Sequence, residues 1–404
     1  MPLSDACIFI ERNEPRIQSI STSLTFSNPL RSFVMQIRAR NEGSNDCHLV
    51  DVNHDVGSDD DLWQRLGRAI SCNASLGSLV LDVNDDHDIG HFSQRAVQNA
   101  RALFRGLSQN KSVHHLALIF RETPLLMFDF LTHFVQHNRS LRDIHFDFRR
   151  PLLTEQSQML SNAIGNAELT SLNLANCFVD HESLNRIIPR CTGVERLIIQ
   201  CNTHENYAAV AALIQDPHTA LTSIRIYFQG SGLHPRSIIR CSPNDGFVLI
   251  ISSLNGNETL KCLEFRGGFD DHHGNFINLL CDFSSIESIH NSNHTLEQLE
   301  VFDFTPEMIR SCIVMNQNAN KTQVIRQKIA EYYFRGDFDI APFVKMSISL
   351  LPSVLGLIRG SDINRHSAIY QMLKCIPDLC DVTTRNARQP NQASSVKRMT
   401  FDQF

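Results

Sequence analysis

The chain of 404 residues contains no long apolar run. Its longest, YAAVAALI and FVLIISSL, reach about eight residues, far below the roughly 20 that cross a bilayer as a helix. The opening stretch MPLSDACIFIERNEPRIQS has no basic segment followed by an apolar one, so no secretory leader is expected. No Cys-x-x-Cys pair occurs, and the 12 cysteines are widely spaced. That usage excludes a disulfide-rich scaffold and fits reduced thiols acting as small apolar side chains in an intracellular protein, cytoplasmic or nuclear. Nucleophile elbows, phosphate loops and dinucleotide fingerprints are missing: the serines of GLSQN and GSGLH lack the flanking pattern such sites need. Basic residues do not gather with aromatics. The 37 basic and 43 acidic residues are interspersed and sum to −6, which speaks against a nucleic-acid or membrane footprint.

What the chain does have is a repeat. NETLKCLEF begins at Asn257, and related stretches begin at Asn73, Asn110, Asn138, Asn166 and Asn293, with weaker ones at Cys191 and His218. The shared pattern is Leu-x-x-Leu-x-Leu, with aliphatic residues or Phe as substitutes. Its first apolar positions are Leu76, Val113, Leu141, Leu169, Val194, Leu221, Leu260 and Leu296, spaced by 37, 28, 28, 25, 27, 39 and 36 residues. The shorter intervals are typical of one strand plus one helix per unit, and the longer ones are what loop insertions produce. Each copy reads as a short strand with an alternating inward pair, such as Leu263 and Phe265. Amphipathic helix candidates precede several copies, among them WQRLGRAI, SQRAVQNARALFRGL and TEQSQMLSNAIG. Strands and helices alternating at this period give a parallel sheet with a helical layer, and single units must stack to bury their apolar faces. Asn-x-Ser/Thr recurs at one phase: Asn73, Asn110, Asn138, Asn257 and Asn293. Without a leader peptide these triplets read as turn chemistry between helix and strand rather than as glycosylation sites.

On these residues the chain resembles leucine-rich-repeat proteins of the ribonuclease-inhibitor type. The closest copy is LTSLNLANCFV, where Leu169, Leu172, Leu174, Cys177 and Val179 occupy the family's Leu, Leu, Leu, Asn/Cys and Leu positions. Asn84 and Asn202 fill the Asn/Cys position in two other copies, whereas Arg121, Arg149, Gln229, Gly268 and Phe304 stand there elsewhere. The resemblance therefore implies an irregular α/β solenoid, or horseshoe, over about residues 60–305. The segment RQKIAEYYFRGDFDIAPFVKMSISLLPSVLGLIRG resembles the closing part of uncharacterised microalgal leucine-rich-repeat proteins. Residues 1–59 alternate as strands do and read as an N-terminal cap, with room for one degenerate repeat at Leu30, Phe33 and Met35. Residues 306–382 read as a helical C-terminal cap, and residues 383–404 as a mobile tail.

Two loops carry residues that could hold a metal. His87, Asp88 and His91 resemble the His-Asp core of HD-type phosphohydrolases, which would make the chain a metal-dependent hydrolase. They follow a repeat strand instead of lying on an apolar helix, and a solvated loop is the simpler reading. Asp270, Asp271, His272 and His273 are adjacent in sequence, so they point apart rather than converging. LLPSVLGLI (Leu350–Ile358) resembles the Leu-Pro opening of an F-box and would make the chain a ubiquitin-ligase substrate adaptor; a buried capping helix with Pro352 in its first turn is the favoured reading. No enzymatic activity, cofactor or metal is expected.

The expected function is non-catalytic binding of a protein partner on the concave face of the sheet. Residues between the inward pairs would form that face, acidic near Asp143 and Asp147 and basic near Arg196, Arg225 and Arg266. Asp143, His145, Arg196, Arg225, Tyr227, Glu264 and Arg266 are the candidate contacts, since Arg and Tyr are favoured at interfaces.

Overall fold

The computed structural model describes residues 7–8, 10, 17–26, 32–40, 47–54, 60–85, 94–120, 125–148, 151–175, 177, 181–201, 203–228, 243–266, 273–301, 307–333, 352 and 354–356. The chain divides into two compact units, one of Met1–Ser253 with Cys262–Phe269, the other of Leu254–Lys261 with Asp270–Phe404.

The first unit opens with three strands, β1 (Ile17–Phe26), β2 (Ser32–Arg40) and β3 (Cys47–His54). Helices and strands then alternate: α1 (Asp60–Cys72), β4 (Ser78–Asp85), α2 (Gln94–Gln109), β5 (His115–Phe120), α3 (Leu125–His137), β6 (Asp143–Phe148), α4 (Thr154–Asn166) and β7 (Ser171–Asn173). After them come α5 (His181–Ile187) with a 3-10 turn (Ile188–Arg190), β8 (Arg196–Cys201), α6 (His204–Gln215), β9 (Ser223–Phe228), α7 (Pro243–Ser253) and β10 (Cys262–Arg266). Eight strands, β1 and β4 to β10, run parallel in the order β10-β9-β8-β7-β6-β5-β4-β1. β2 and β3 extend the sheet beyond β1 as antiparallel strands. The parallel strand contributed by the N-terminal segment is thus Ile17–Phe26, whose Ile20 is buried. Phe33 and Met35, expected to mark a degenerate repeat, belong to the antiparallel β2; Leu30 lies outside the described residues.

The inward phase is continuous. Leu79, Leu116, Ile144, Leu172, Leu197, Ile224 and Leu263 form one cross-strand row, all at most 2% exposed. Leu81, Leu118, Phe146, Leu174, Ile199, Ile226 and Phe265 form the next buried set. Burying each such side chain contributes roughly 1.5–3 kcal/mol, which is why alternation sets the register. Helix residues seal this face, with Phe128 of α3 against Phe148 and Phe247 of α7 against Phe265, ring centroids 5.9 and 5.2 Å apart. Helices α1 to α7 pack on one another in chain order. Local chemistry fixes their starts. The Leu153 amide donates to Gln156 Oε1 (2.9 Å) before α4, and the Asn206 amide donates to Thr203 Oγ1 (3.3 Å) at α6.

The recurrent asparagines tie repeats together. Asn110 Nδ2 donates to the Ile70 and Asn73 carbonyls (2.6 and 2.8 Å), and Asn138 Nδ2 to those of Leu107 and Asn110 (2.8 and 3.0 Å). Each Oδ1 closes its own turn: Asn110 Oδ1 accepts from the Ser112 and Val113 amides, and Asn138 Oδ1 from those of Ser140 and Leu141. The hydroxyls join in, with Ser112 donating to the Asn73 carbonyl and Ser140 to that of Val113. Asn73, Asn110 and Asn138 are at most 5% exposed. Their amide nitrogens, the atoms a glycan would need, are buried and bonded. Cys177 adds a rung at the other end of the strands, its thiol donating to the Phe146 carbonyl (3.1 Å).

The second unit holds α8 (His273–Leu280), α9 (Ile286–Asn291), β11 (Gln298–Val301), α10 (Glu307–Asn316) and α11 (Lys321–Tyr333). The same amide ladder recurs in it. Asn293 Nδ2 reaches the Leu254 and Asn257 carbonyls (3.0 and 3.3 Å), and Asn316 Nδ2 reaches those of Leu296 and Asn293 (2.9 and 3.3 Å). Lys328, 1% exposed, joins this ladder. Its Nζ donates to the Leu280 and Asn293 carbonyls (2.5 and 3.2 Å) and meets His294 Nδ1 at 3.1 Å. Burial pulls the lysine down to about 8. Burial and the neighbouring ammonium push His294 down to about 4. Most of the expected C-terminal cap beyond Tyr333, most of Leu350–Ile358 and the whole tail lie outside the described residues.

Candidate partner-binding face

The face opposite the inward spine is built from three rows. In register order the first is Ser78, His115, Asp143, Ser171, Arg196, Ser223 and Cys262. The second is Val80, Ala117, His145, Asn173, Ile198, Arg225 and Glu264, and the third includes Ile119, Asp147, Gln200, Tyr227 and Arg266. All of these are half-buried or exposed except Glu264. Half-burial is what a pleated surface gives, since cross-strand neighbours about 5 Å away shade one another.

At the β9–β10 end, four of the expected contacts converge. Arg225 lies opposite Glu264, and Tyr227 opposite Arg266. Arg225 Nε donates to Glu264 Oε2, and Arg266 Nε to Glu264 Oε1. The Glu264 side chain is 6% exposed, while those of Arg225 and Arg266 are 40% and 55% exposed. One buried carboxylate thus holds two solvent-facing guanidinium groups and leaves the trio with net charge +1. Burial draws the Arg225 pKa down. Its hydrogen bond and charge attraction to Glu264, with a further hydrogen bond to Tyr227, outweigh that and hold it above its ordinary value. The sequence pattern gave no signal for the burial of Glu264, which sits at a position that alternation assigns to solvent; two arginines from neighbouring positions cover it.

Arg196 stands on β8, the strand next to β9, and is exposed. Across β6 the character changes. Asp143 pairs with His115, Nδ1 to Oδ2 at 2.6 Å, their side chains 30% and 59% exposed. His115 was a face residue by alternation but not an expected contact; its register opposite Asp143 is what makes the pair. His145, between Ala117 and Asn173, keeps its Nε2 buried without a hydrogen-bond partner. Three strand spacings, about 14 Å, separate Asp143 and His145 on β6 from Arg225 on β9. The seven expected contacts therefore form two clusters on one face, with Arg196 between them.

His87, Asp88, His91, Asp270–His272 and the side chain of His273 lie outside the described residues. Among the described residues, no three His, Cys, Asp or Glu side chains are grouped to hold a metal ion. Eight of the described cysteines stand outside any disulfide, most of them buried. Burial pushes Cys191 up to about 12, and raises Cys177 and Cys201 as well. These are inert core groups. Among the described residues, no helix is long and apolar enough to cross a membrane. The chain matches no protein-family model, and no curated protein matches it.

Proposed function

We propose that the chain is a leucine-rich-repeat-like solenoid, closed by a strand-rich N-terminal cap and a helical C-terminal cap, that acts as a non-catalytic interaction module. A protein partner is held on the concave face formed by the outward rows of the parallel sheet. The observation that carries this reading is the Arg225–Glu264–Arg266 cluster. Its two guanidinium groups are fixed in place by a carboxylate that is itself withdrawn from solvent. Pre-orientation of this kind lowers the ordering cost of binding, and Arg beside Tyr227 is the composition of interface hot spots. Glu264 acts through the arginines it holds, while Arg196, Arg225, Tyr227 and Arg266 meet the partner.

Eight parallel strands give a face roughly 35 Å long, and its charge is divided. Asp143 and Asp147 lie near the middle, on β6, and the arginines towards the β10 end. The fitting partner is a protein surface of the opposite polarity, with carboxylates over β8 to β10 and a basic or polar patch over β6.

Proximity labelling in the native cell tests this, comparing the wild-type chain with one carrying Arg196→Glu and Arg225→Glu. A neighbour labelled by the wild type and lost in the variant is expected. An identical set of neighbours from both contradicts the reading. Melting temperatures of the two forms are compared first, and Arg196→Glu alone serves if Arg225→Glu unsettles Glu264.

A further inference from the structure

A second site is formed on the helical layer of the first unit, away from the face just described. Helices α1 and α2 cross at two glycines. A Cβ on Gly106 would meet the Gly67 carbonyl oxygen at 2.0 Å, and one on Gly67 would meet the Ala102 carbonyl oxygen at 2.5 Å. No other residue permits that approach. Beside the crossing lies a cleft of about 440 Å³ lined by Gln64 and Arg68 of α1 and by Gln98, Arg101, Arg105 and Gln109 of α2. Arg68 follows Gly67 and Arg105 precedes Gly106, so the glycine contact brings these two arginines together. Arg101 is one turn from Arg105 on the same helix face.

All three arginines are exposed. Among the described residues none of their guanidinium groups has a hydrogen-bond or ion-pair partner, and no acidic side chain lines the cleft. The lining offers donors: three guanidinium forks and three glutamine amides, in a chain whose formal net charge is −6. Three like charges around one cleft repel one another until an anion enters.

We propose that this cleft binds a small phosphorylated molecule. Guanidinium forks match phosphate oxygens in bidentate geometry. Three of them carry more positive charge than a single carboxylate neutralises, whereas a phosphate monoester or a pyrophosphate group at neutral pH carries two or more negative charges. The volume lies within the range of about 300–1,000 Å³ typical of small-molecule sites.

Isothermal titration of the full chain with pyrophosphate, inorganic phosphate and citrate at fixed ionic strength tests the proposal. Saturable binding of pyrophosphate at one site per chain is expected, tighter than that of citrate. Arg101→Gln with Arg105→Gln should weaken it at least about tenfold, and Arg68→Gln from the opposite helix should weaken it independently. A control of equal charge change, Arg139→Gln with Arg310→Gln, should leave it within about twofold. All five arginines are exposed, so the variants should melt as the wild type does, and circular dichroism checks this. Absence of saturable binding overturns the proposal, as does equal weakening by the control. Tighter binding of citrate overturns the assignment to phosphate.

Discussion

The turns before Leu76, Val113 and Leu141 differ from those before Leu169, Val194 and Leu221, although all six lead into strands of one sheet. In the first group a buried asparagine reaches another segment of the chain: Asn110 and Asn138 bond to carbonyls of the preceding repeat, and Asn73 to that of Ile10. In the second group no asparagine side chain bridges repeats among the described residues: the turns close through local backbone bonds, and the tie before Leu221 is a backbone one, the Ala220 amide donating to the Thr192 carbonyl (2.7 Å). Ala167 donates to the Ile164 carbonyl, Cys191 to that of Ile188, Val194 to that of Cys191 and Thr219 to that of Asp216, at 3.0–3.2 Å. Asn166 stands at the ladder phase, yet α4 includes it as its last residue and leaves it exposed. The same residue type at the same phase is therefore a tie between repeats in one place and surface in another. What decides is where the preceding helix ends: at Gln109 and His137 it stops one residue short of the asparagine.

The sharpest way to break this comparison is to remove one amide from each group. Asn110→Ala deletes two cross-repeat donors and the acceptor of the Ser112 and Val113 amides, leaving the Ile70 carbonyl only the Asn73 amide and the Asn73 carbonyl only the Ser112 hydroxyl. It should cost about 2–4 kcal/mol. Asn166→Ala should stay within about 0.5 kcal/mol. Chemical denaturation of both variants measures the difference, and equal costs would remove the distinction between the two kinds of turn.

A smaller effect separates the ladder of the first unit, made of amides and hydroxyls, from that of the second, which includes Lys328 and His294. The His294 pKa is about 4 in the folded chain against an ordinary 6.5. The unfolded state therefore binds more protons between those values, and stability falls as pH drops from about 6.5 to about 4. Lys328 has the same sign at higher pH. Folded at about 8 against an ordinary 10.5, it makes stability rise as pH climbs through that window. Hydrogen exchange, corrected for intrinsic rates, should show the Thr295 and Leu296 amides losing protection on acidification to pH 4 more than those of Val113 and Leu141. Equal loss at both places would remove the assigned role of His294.

The alternation of the repeats made the parallel strands and the inward set legible from the sequence, because burial on one face penalises any slip by one residue. Leu172, Leu174, Leu263 and Phe265 all lie buried as expected. Other features were legible only in part. Asn-x-Ser/Thr pointed to turns, which are local, but the bonds of Asn110 and Asn138 to carbonyls of the preceding repeat depend on stacking that no single copy encodes. In the N-terminal segment both IQSISTSLTF and SFVMQIRAR alternate, and alternation does not reveal whether a strand pairs parallel or antiparallel; that is why the repeat-like strand was expected at Phe33 and Met35 instead of at Ile20. The burial of Glu264 was hidden for a related reason, since it arises from the side chains of Arg225 and Arg266 closing over it. The cleft between α1 and α2 left one trace, a glycine in each helix, and its meaning depends on the two being brought together.

Both the sheet core and the proposed binding face depend on the phase of the strands, and native cysteines report it without mutation. Cys262 lies on the outward phase and is half-buried, whereas Cys201 lies on the inward phase and is 1% exposed. Brief treatment of the folded chain with a thiol reagent, read by peptide mass, should modify Cys262 and the exposed Cys72 while sparing Cys201, Cys191 and Cys177 until denaturant is added. Modification of Cys201 as fast as Cys262 would contradict the account.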